Sequence, residues 1–244
     1  MVAIPTLKDE DAKRPSRERE SLVGEQSRIV NRMKAALIRL GIRGFNPKLK
    51  RAAGRLDDLR TPEGEPVPPN TLAELRRDME RRRLIISNQI RQIEEARLKH
   101  FEQAPNDGPH AMVLLLARVI GVGVETADML VHEVLSRNMH DRRAIARYAG
   151  LTGSPDESGR KRREKGLARS GNGRVRRGMV QLAWRFLTYQ KESALAQWYR
   201  ARTENALGAR KPMIVALARK LLIALWRFVR QGVVPEGVVL RPAQ

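Results

Sequence analysis

Ser158-Gly159 is followed at once by a dense run of cations. From Arg160 to Arg177 there are nine Lys/Arg and one acid, Glu164. A small hydroxyl in a turn, with cations beginning at the second residue after it, is suited to chemistry on a phosphodiester. The hydroxyl attacks phosphorus, and the cations hold phosphates and offset charge that develops in the transition state. Two neighbouring serines fit less well. Ser154 precedes Pro155, which stiffens a turn, and Ser170 leads into Gly-Asn and shapes the approach to the next helix. Ser158 has Gly159 behind it, which leaves room for a phosphate. Asp156 and Glu157 are near in sequence, but neither stands out as a general base. Taken alone, a Ser-Gly is also an ordinary turn and a charge run an ordinary solvated surface.

The whole chain bears on which reading holds. In 244 residues the formal net charge is +21, an excess that attracts a polyanion, with nucleic acid the first expectation. There is no cysteine, hence no disulfide framework, no thiolate metal site and no cysteine nucleophile. His100, His110, His132 and His140 show no metal-ligand spacing, so no metal ligand is assigned in this chain. No apolar run approaches a membrane span, and the first residues lack a signal-peptide core. A cytoplasmic protein with no membrane partner is predicted. Aromatics are 4%, which makes base stacking a poor main mode of binding.

The elements that must position these residues read as mainly helical, an all-α fold. Residues 1–15 look like an irregular lead-in bounded by Pro5 and Pro15, with Ser16 as an N-cap. An amphipathic helix over 17–40 carries Leu22, Ile29, Met33, Ala36 and Leu40 on a narrow stripe and stops at Gly41. Residues 44–70 read as a connector with a short helix near 51–59 and a Pro/Gly-rich end. Thr71-x-x-Glu74 has the form of a capping box for a second long helix to about 101, striped by Leu72, Leu75, Met79, Ile86, Ile90 and Ile93. Together 16–101 predict a long antiparallel, coiled-coil-like hairpin, a candidate for homo-oligomer formation. A break at 104–109 introduces a compact helical domain over 110–232, followed by a loose tail over 233–244.

Within that domain, Gly121-Val-Gly123 between two apolar helical stretches resembles a helix-hairpin-helix turn. There backbone N–H groups approach a phosphate, with Thr126 in the following helix. A turn shaped only for packing fits the same residues. Asp141 is placed to cap a short helix ended by Gly150, and Asn172 to cap the helix from about 174. A small ribbon pairing 151–152 with 166–167 would flank the Ser158 loop. A helix over 193–202 and a last one over 212–230 complete the domain, with Trp226 in its core. The predicted nucleic-acid contacts are Gly121, Gly123, Thr126, Arg160, Lys161, Arg162, Arg163, Lys165, Arg169, Asn172, Arg174, Arg176 and Arg177.

Five blocks in register carry a resemblance. They are Ile120-Gly-Val-Gly with Thr126-Ala, Arg147-Tyr-Ala-Gly-Leu-Thr152, Ser158-Gly159, Gly171-Asn172 with Val175-Arg-Arg177, and Ala218-Arg-Lys-Leu-Leu222. In that order they resemble the C-terminal domain of the IS-one-ten family, the DEDD-type insertion-sequence transposases related to the Piv invertase. The helix around RERESLVGEQSRIVNRMKAAL is similar to that family's coiled-coil region. The resemblance implies a DNA recombinase with Ser158 as nucleophile, and insertion-sequence ends and target DNA as partners. It also brings in a structured guide RNA, which some members use. It further implies an N-terminal RuvC-like domain with four acidic metal ligands. No strand-rich acidic stretch precedes Ser16, and Asp9, Glu10 and Asp11 do not supply those ligands. Mg²⁺ is therefore expected only with that other domain, and this chain is expected to bind DNA without cutting it. Three functions compete: a truncated transposase segment, a non-catalytic nucleic-acid-binding remnant or regulator, and a structural dimerisation module, the last opposed by the charge.

Overall fold

The computed structural model describes residues 4–103, 107–158, 161–167, 170–204 and 210–242, with the backbone alone over 154–158 and 161–166. The chain divides into two compact units, 14–103 and a second made of 1–13 with 104–244. The described residues are mainly helical, as their periodicity predicts, with one two-stranded ribbon. No helix among them is long and apolar enough to cross a membrane.

The 14–103 unit is built on two long helical arms. Helix α2 spans Arg14–Arg39. The other arm runs α3 (Pro69–Glu80), a wider π-helical turn (Arg81–Ile86) and α4 (Ser87–Gln103). Polar cross-links fix their direction. Arg19 Nε donates to Glu94 at 2.7 Å, Gln26 to Ser87 at 3.1 Å, and Arg32 Nε to Asp78 at 2.8 Å. As one number rises the other falls, so the arms are antiparallel. Ile29, Met33 and Leu37 on α2 bury with Leu75, Met79 and Ile86 in one cluster. The two stripes thus satisfy each other within a single chain, and neither requires a second copy for its burial.

Several sequence expectations change here. The lead-in holds a five-residue helix, α1 (Leu7–Asp11), under a capping box in which Thr6 Oγ1 accepts from Asp9 N at 3.1 Å. The Thr6 hydroxyl, and then its backbone N–H, hold the Asp9 carboxyl below its ordinary range. Ser16 is not an N-cap but a buried residue inside α2. Thr71 likewise is the third residue of α3, which begins at Pro69 with Pro68 as its cap. The reason is the same at both starts. Proline in the first turn lacks only an N–H that would have had no helical partner, and its φ is already helical. Reading Pro15 and Pro68-Pro69 as breaks places both helix starts too late.

The connector is also more than a link. Ala52, Leu56 and Val67 bury in the same cluster as the arms, and its only helical turn is 3-10, over Ala53–Arg55. Arg82, buried in the second arm, donates to the carbonyl of Pro47 at 2.8 Å and ties the connector down. Gly41 ends α2 at φ 73°, with Ile42 N bonded to Leu37 O and Gly41 N to Ile38 O. That is the Schellman arrangement its position predicts.

In the second unit, α5 (Gly108–Ala117), α6 (Val124–Leu130) with a π-helical continuation (Val131–Leu135), and α7 (Arg142–Tyr148) lead into the ribbon β1 (Gly153–Ser158) and β2 (Lys161–Leu167). Helices α8 (Gly173–Tyr189), α9 (Ala194–Thr203) and α10 (Arg210–Gln231) follow. Helix α10 is the hub and packs against α5, α7, α8 and α9. Its stripe of Ile214, Leu217, Leu221, Leu222 and Leu225 is buried, whereas Trp226, expected in the core, is only half-buried.

The tail is not loose. Leu240 bridges Val119, Ile120 N donates to Val239 O at 3.2 Å, and Arg241 N bonds Arg118 O. Gln190, 2% exposed, is the fastener. Its Nε2 donates to Ile120 O at 2.8 Å and to Val239 O at 2.9 Å, while its Oε1 accepts from Val239 N at 2.9 Å. One amide therefore joins the end of α8, the turn after α5 and the tail. Replacing Gln190 by Ala leaves Ile120 O and Val239 N without these partners, while Val239 O keeps its bond from Ile120 N. It should cost about 2 kcal/mol, and hydrogen exchange should show faster opening at Ile120 and Val239 than in the parent chain.

Candidate nucleic-acid interface

The ribbon is carried by the C-terminus of α7 and the N-terminus of α8, and each end is capped as its sequence predicts. Asp141 Oδ1 accepts from Ala144 N and Arg143 N, which hold its carboxyl below the ordinary range. At the other end of α7, Leu151 N bonds Ala146 O and Gly150 N bonds Arg147 O, with Gly150 at φ 65°. Asn172 Oδ1 accepts from Arg174 N at 3.0 Å and Val175 N at 3.2 Å to begin α8.

Between these caps two glycine backbones nearly touch. Asn172 N donates to Tyr148 O at 2.7 Å. Gly171 has φ 87°, and a Cβ there would lie 2.7 Å from Gly150 N and 2.8 Å from the carbonyl oxygens of Arg147 and Tyr148. A Cβ on Gly150 would lie 2.5 Å from Ser170 O. Only glycine fits either place, because the obstacle is main chain and the φ is left-handed.

Below this foot lies a buried carboxylate. Glu133, 3% exposed, accepts from Asn172 Nδ2 at 3.0 Å, and Arg174 Nη1 stands 3.7 Å from its other oxygen. Asn172 thus uses both ends of its amide: the oxygen caps α8 and the nitrogen holds Glu133. Close by in sequence, His132 pairs with Asp128 at 3.3 Å.

Above the foot the ribbon departs from the predicted loop. Ser158 is in a strand, at its last position, opposite Lys161. The pairing is longer than the short ribbon expected, with Gly153 opposite Leu167, and a register shift follows Gly153. Opposed residues of an antiparallel pair share a face, and the faces alternate. By register, Ser154/Lys165, Asp156/Arg163 and Ser158/Lys161 fall on one face, and Pro155/Glu164 and Glu157/Arg162 on the other. Three cations and one acid share the Ser158 face. One cation and two acids share the reverse.

The predicted site residues therefore separate. Lys161, Arg162, Arg163 and Lys165 are on β2, while Arg160 and Arg169 lie outside the described residues. Arg176 donates to Ser170 O at 3.1 Å and sits over the end of α7, and Arg177 is exposed beside it. Asn172 and Arg174 turn inward to Glu133, and Arg174 keeps only 15% of its side chain exposed. Gly121, at φ 97°, lets the chain pass Tyr189, whose Cβ would be 3.1 Å from a Cβ at 121. Packing accounts for that glycine. Gly123 is the N-cap of α6, and its carbonyl accepts from Thr126 N and Ala127 N at 3.0 Å.

Sequence reasoning passed over Arg143 and Arg147. Both are exposed on α7, four residues apart and so on one side of the helix. Arg147 lies in the last turn of α7, and its carbonyl is part of the glycine foot. The available signal was that four-residue spacing after a helix cap. Among the described residues, no three His, Asp or Glu side chains converge to hold a metal ion.

Residues 113–199, from α5 through α9, match a model of the transposase IS116/IS110/IS902 family. Along nearly its whole length the chain is also similar to a Sinorhizobium fredii protein named "Putative transposase y4rJ". The two are 40% identical over 250 residues, covering 99% of this chain and 63% of that protein.

The glycine foot has a direct test. Gly171→Ala should destabilise this unit by about 2 kcal/mol or more. The thermal midpoint should then fall by roughly 4–8 °C for a unit of this size. Limited proteolysis should find the ribbon cleaved sooner. Gly123→Ala, whose nearest neighbour would be Arg185 at 4.0 Å, should fold normally.

Proposed function

We propose that the chain, whose 113–199 segment matches the IS116/IS110/IS902 transposase family, is a member of that family and is the DNA-binding segment of an insertion-sequence transposase, with Ser158 as its nucleophile. The observation that carries the reading is the register of the ribbon. It groups Ser158 by face with Lys161, Arg163 and Lys165, so a phosphate held by these cations lies beside the hydroxyl. Arg143, Arg147, Arg176 and Arg177 extend the same positive surface along the backbone of a duplex. Phosphate contacts of this kind position DNA without reading its sequence.

The serine step is a displacement at phosphorus. The Ser158 oxygen forms the new P–O bond, the strand's own P–O bond breaks, the hydroxyl proton passes to a base and a free strand end leaves with a proton. A serine hydroxyl needs that base to react. The chain spans 63% of the length of the curated relative it matches. The base and the cleavage activity are assigned here to the whole transposase rather than to the residues described above.

Two measurements test this reading. In duplex binding across a salt series, Arg163→Ala with Lys165→Ala should reduce the slope of log K against log salt by about 1.8, since each lost phosphate contact removes about 0.9. Arg162→Ala should leave it unchanged; equal effects from both faces would remove the argument from register. For the chemistry, this chain should be supplied with the remainder of the longer relative and incubated with labelled element-end DNA. A protein–DNA adduct resistant to denaturation should form and disappear in Ser158→Ala, while duplex affinity stays within about twofold, a neutral side chain being no phosphate anchor. An adduct that persists without Ser158 would assign the nucleophile elsewhere.

A further inference from the structure

The connector of the helical hairpin holds a second cationic site, independent of the ribbon. Between Arg39 and Asp57 the sequence has no acid, and it carries Arg43, Lys48, Lys50, Arg51 and Arg55. In the fold this stretch wraps an open cavity of about 560 Å³. Arg43, Lys50, Arg51 and Arg55 line it, all four exposed, and Phe45 and Leu49 give it an apolar wall. Among the described residues, no carboxylate lines it. Asp57, the nearest acid in sequence, is already paired with Arg76.

The loop is held in place. Lys48 N donates to Asn46 Oδ1 at 3.1 Å, Leu49 N to Asn46 O at 3.2 Å, and Ala52 N to Leu49 O at 3.1 Å. Arg82 pins Pro47 from behind and adds a further cation beneath the loop. Phe45 packs on one side against the hairpin core, so its ring is braced while still part of the cavity wall.

The chemistry of this lining is selective. Four cations with no carboxylate partner among the described residues call for several negative charges rather than one. An aromatic and an aliphatic wall among them call for a flat apolar group between those charges. A nucleotide in a strand has that form, a base flanked by phosphates. The base must be unpaired, because in a duplex its face is covered by stacking. The cavity falls within the range of small-ligand pockets, which suits one nucleotide rather than a helix.

We propose that the hairpin connector binds an unpaired nucleotide of a single-stranded or looped nucleic acid. The base lies against Phe45 and Leu49, and the flanking phosphates lie on Arg43, Lys50, Arg51 and Arg55. The site does not rest on Ser158 or on the ribbon, so either assignment can fail without the other.

The test uses the full chain and three labelled probes: oligo(dT), oligo(U) and a duplex of equal length, each titrated by fluorescence anisotropy over a salt series. Arg51→Ala with Arg55→Ala should weaken binding to the single strands at least tenfold at 150 mM salt. Its single-strand salt slope should fall by about 1.4, at about 0.7 per lost contact. Duplex affinity should change less than threefold. A charge-matched control, Arg28→Ala with Lys34→Ala on the exposed side of α2, should change single-strand affinity less than threefold. Phe45→Leu keeps an apolar residue against the core. It should weaken single-strand binding about fivefold or more with an unaltered salt slope, and its circular-dichroism midpoint reports whether it has folded. The ratio of oligo(U) to oligo(dT) affinity identifies the source of the nucleotide as RNA or DNA. The proposal is overturned if the control pair weakens single strands as much as the connector pair, or if the duplex loses as much as the single strands do.

Discussion

The C-terminal unit depends on the contact between two glycine backbones, Gly150 and Gly171, over the buried carboxylate of Glu133. A helix that ends and a helix that begins are brought within hydrogen-bond distance there, and the segment between them has nowhere to go but outward. The ribbon is the consequence. Its twenty-odd residues carry few groups able to build a core, so its placement is inherited from its foot. Asn172 unites the two requirements, capping α8 and bonding Glu133 with one amide. A buried carboxylate without such partners would be costly. Here Asn172 and Arg174 supply them from the same helical turn.

The +21 charge is therefore not one undifferentiated surface. Some cations are structural. Arg174 faces Glu133, Arg32 pairs with Asp78, and buried Arg82 holds the Pro47 carbonyl. Burial without a carboxylate partner pulls the Arg82 guanidinium below its ordinary range, as desolvation disfavours the charged form. Others are arranged by register or by helix spacing. The ribbon concentrates Lys161, Arg163 and Lys165 on the Ser158 face and leaves Glu157 and Glu164 on the reverse. A count of residues from 160 to 177 sees nine cations and one acid and cannot tell these classes apart. Alternation in a strand and inward turning at a helix start separate them.

Local signals were legible in the sequence wherever a single residue's chemistry decides. Asp141 and Asn172 cap helices because their side chains reach free N–H groups. Gly41 and Gly150 end helices because they accept a left-handed φ. The apolar stripes of α2 and α10 found a core because their spacing repeats with the helix. The order of blocks along the chain was enough for the family resemblance. Proline misled at both Pro15 and Pro68-Pro69, since the same residue stops a helix in its interior and suits its first turn.

What the sequence could not decide were contacts between distant segments. Nothing around Gln190 announces that its amide would fasten a tail some fifty residues away, and without that bond the tail reads as loose. The connector read as a link with one short helix, and nothing in its spacing shows that Ala52, Leu56 and Val67 join the core of the arms. They bury only because two helices from either side leave a space of their shape. Ser158 and its cations were visible as residue types, but which cations share its face depends on strand register. That register follows a shift after Gly153, where the pairing moves from Gly153–Leu167 to Ser154–Lys165, and composition and spacing do not encode such a shift.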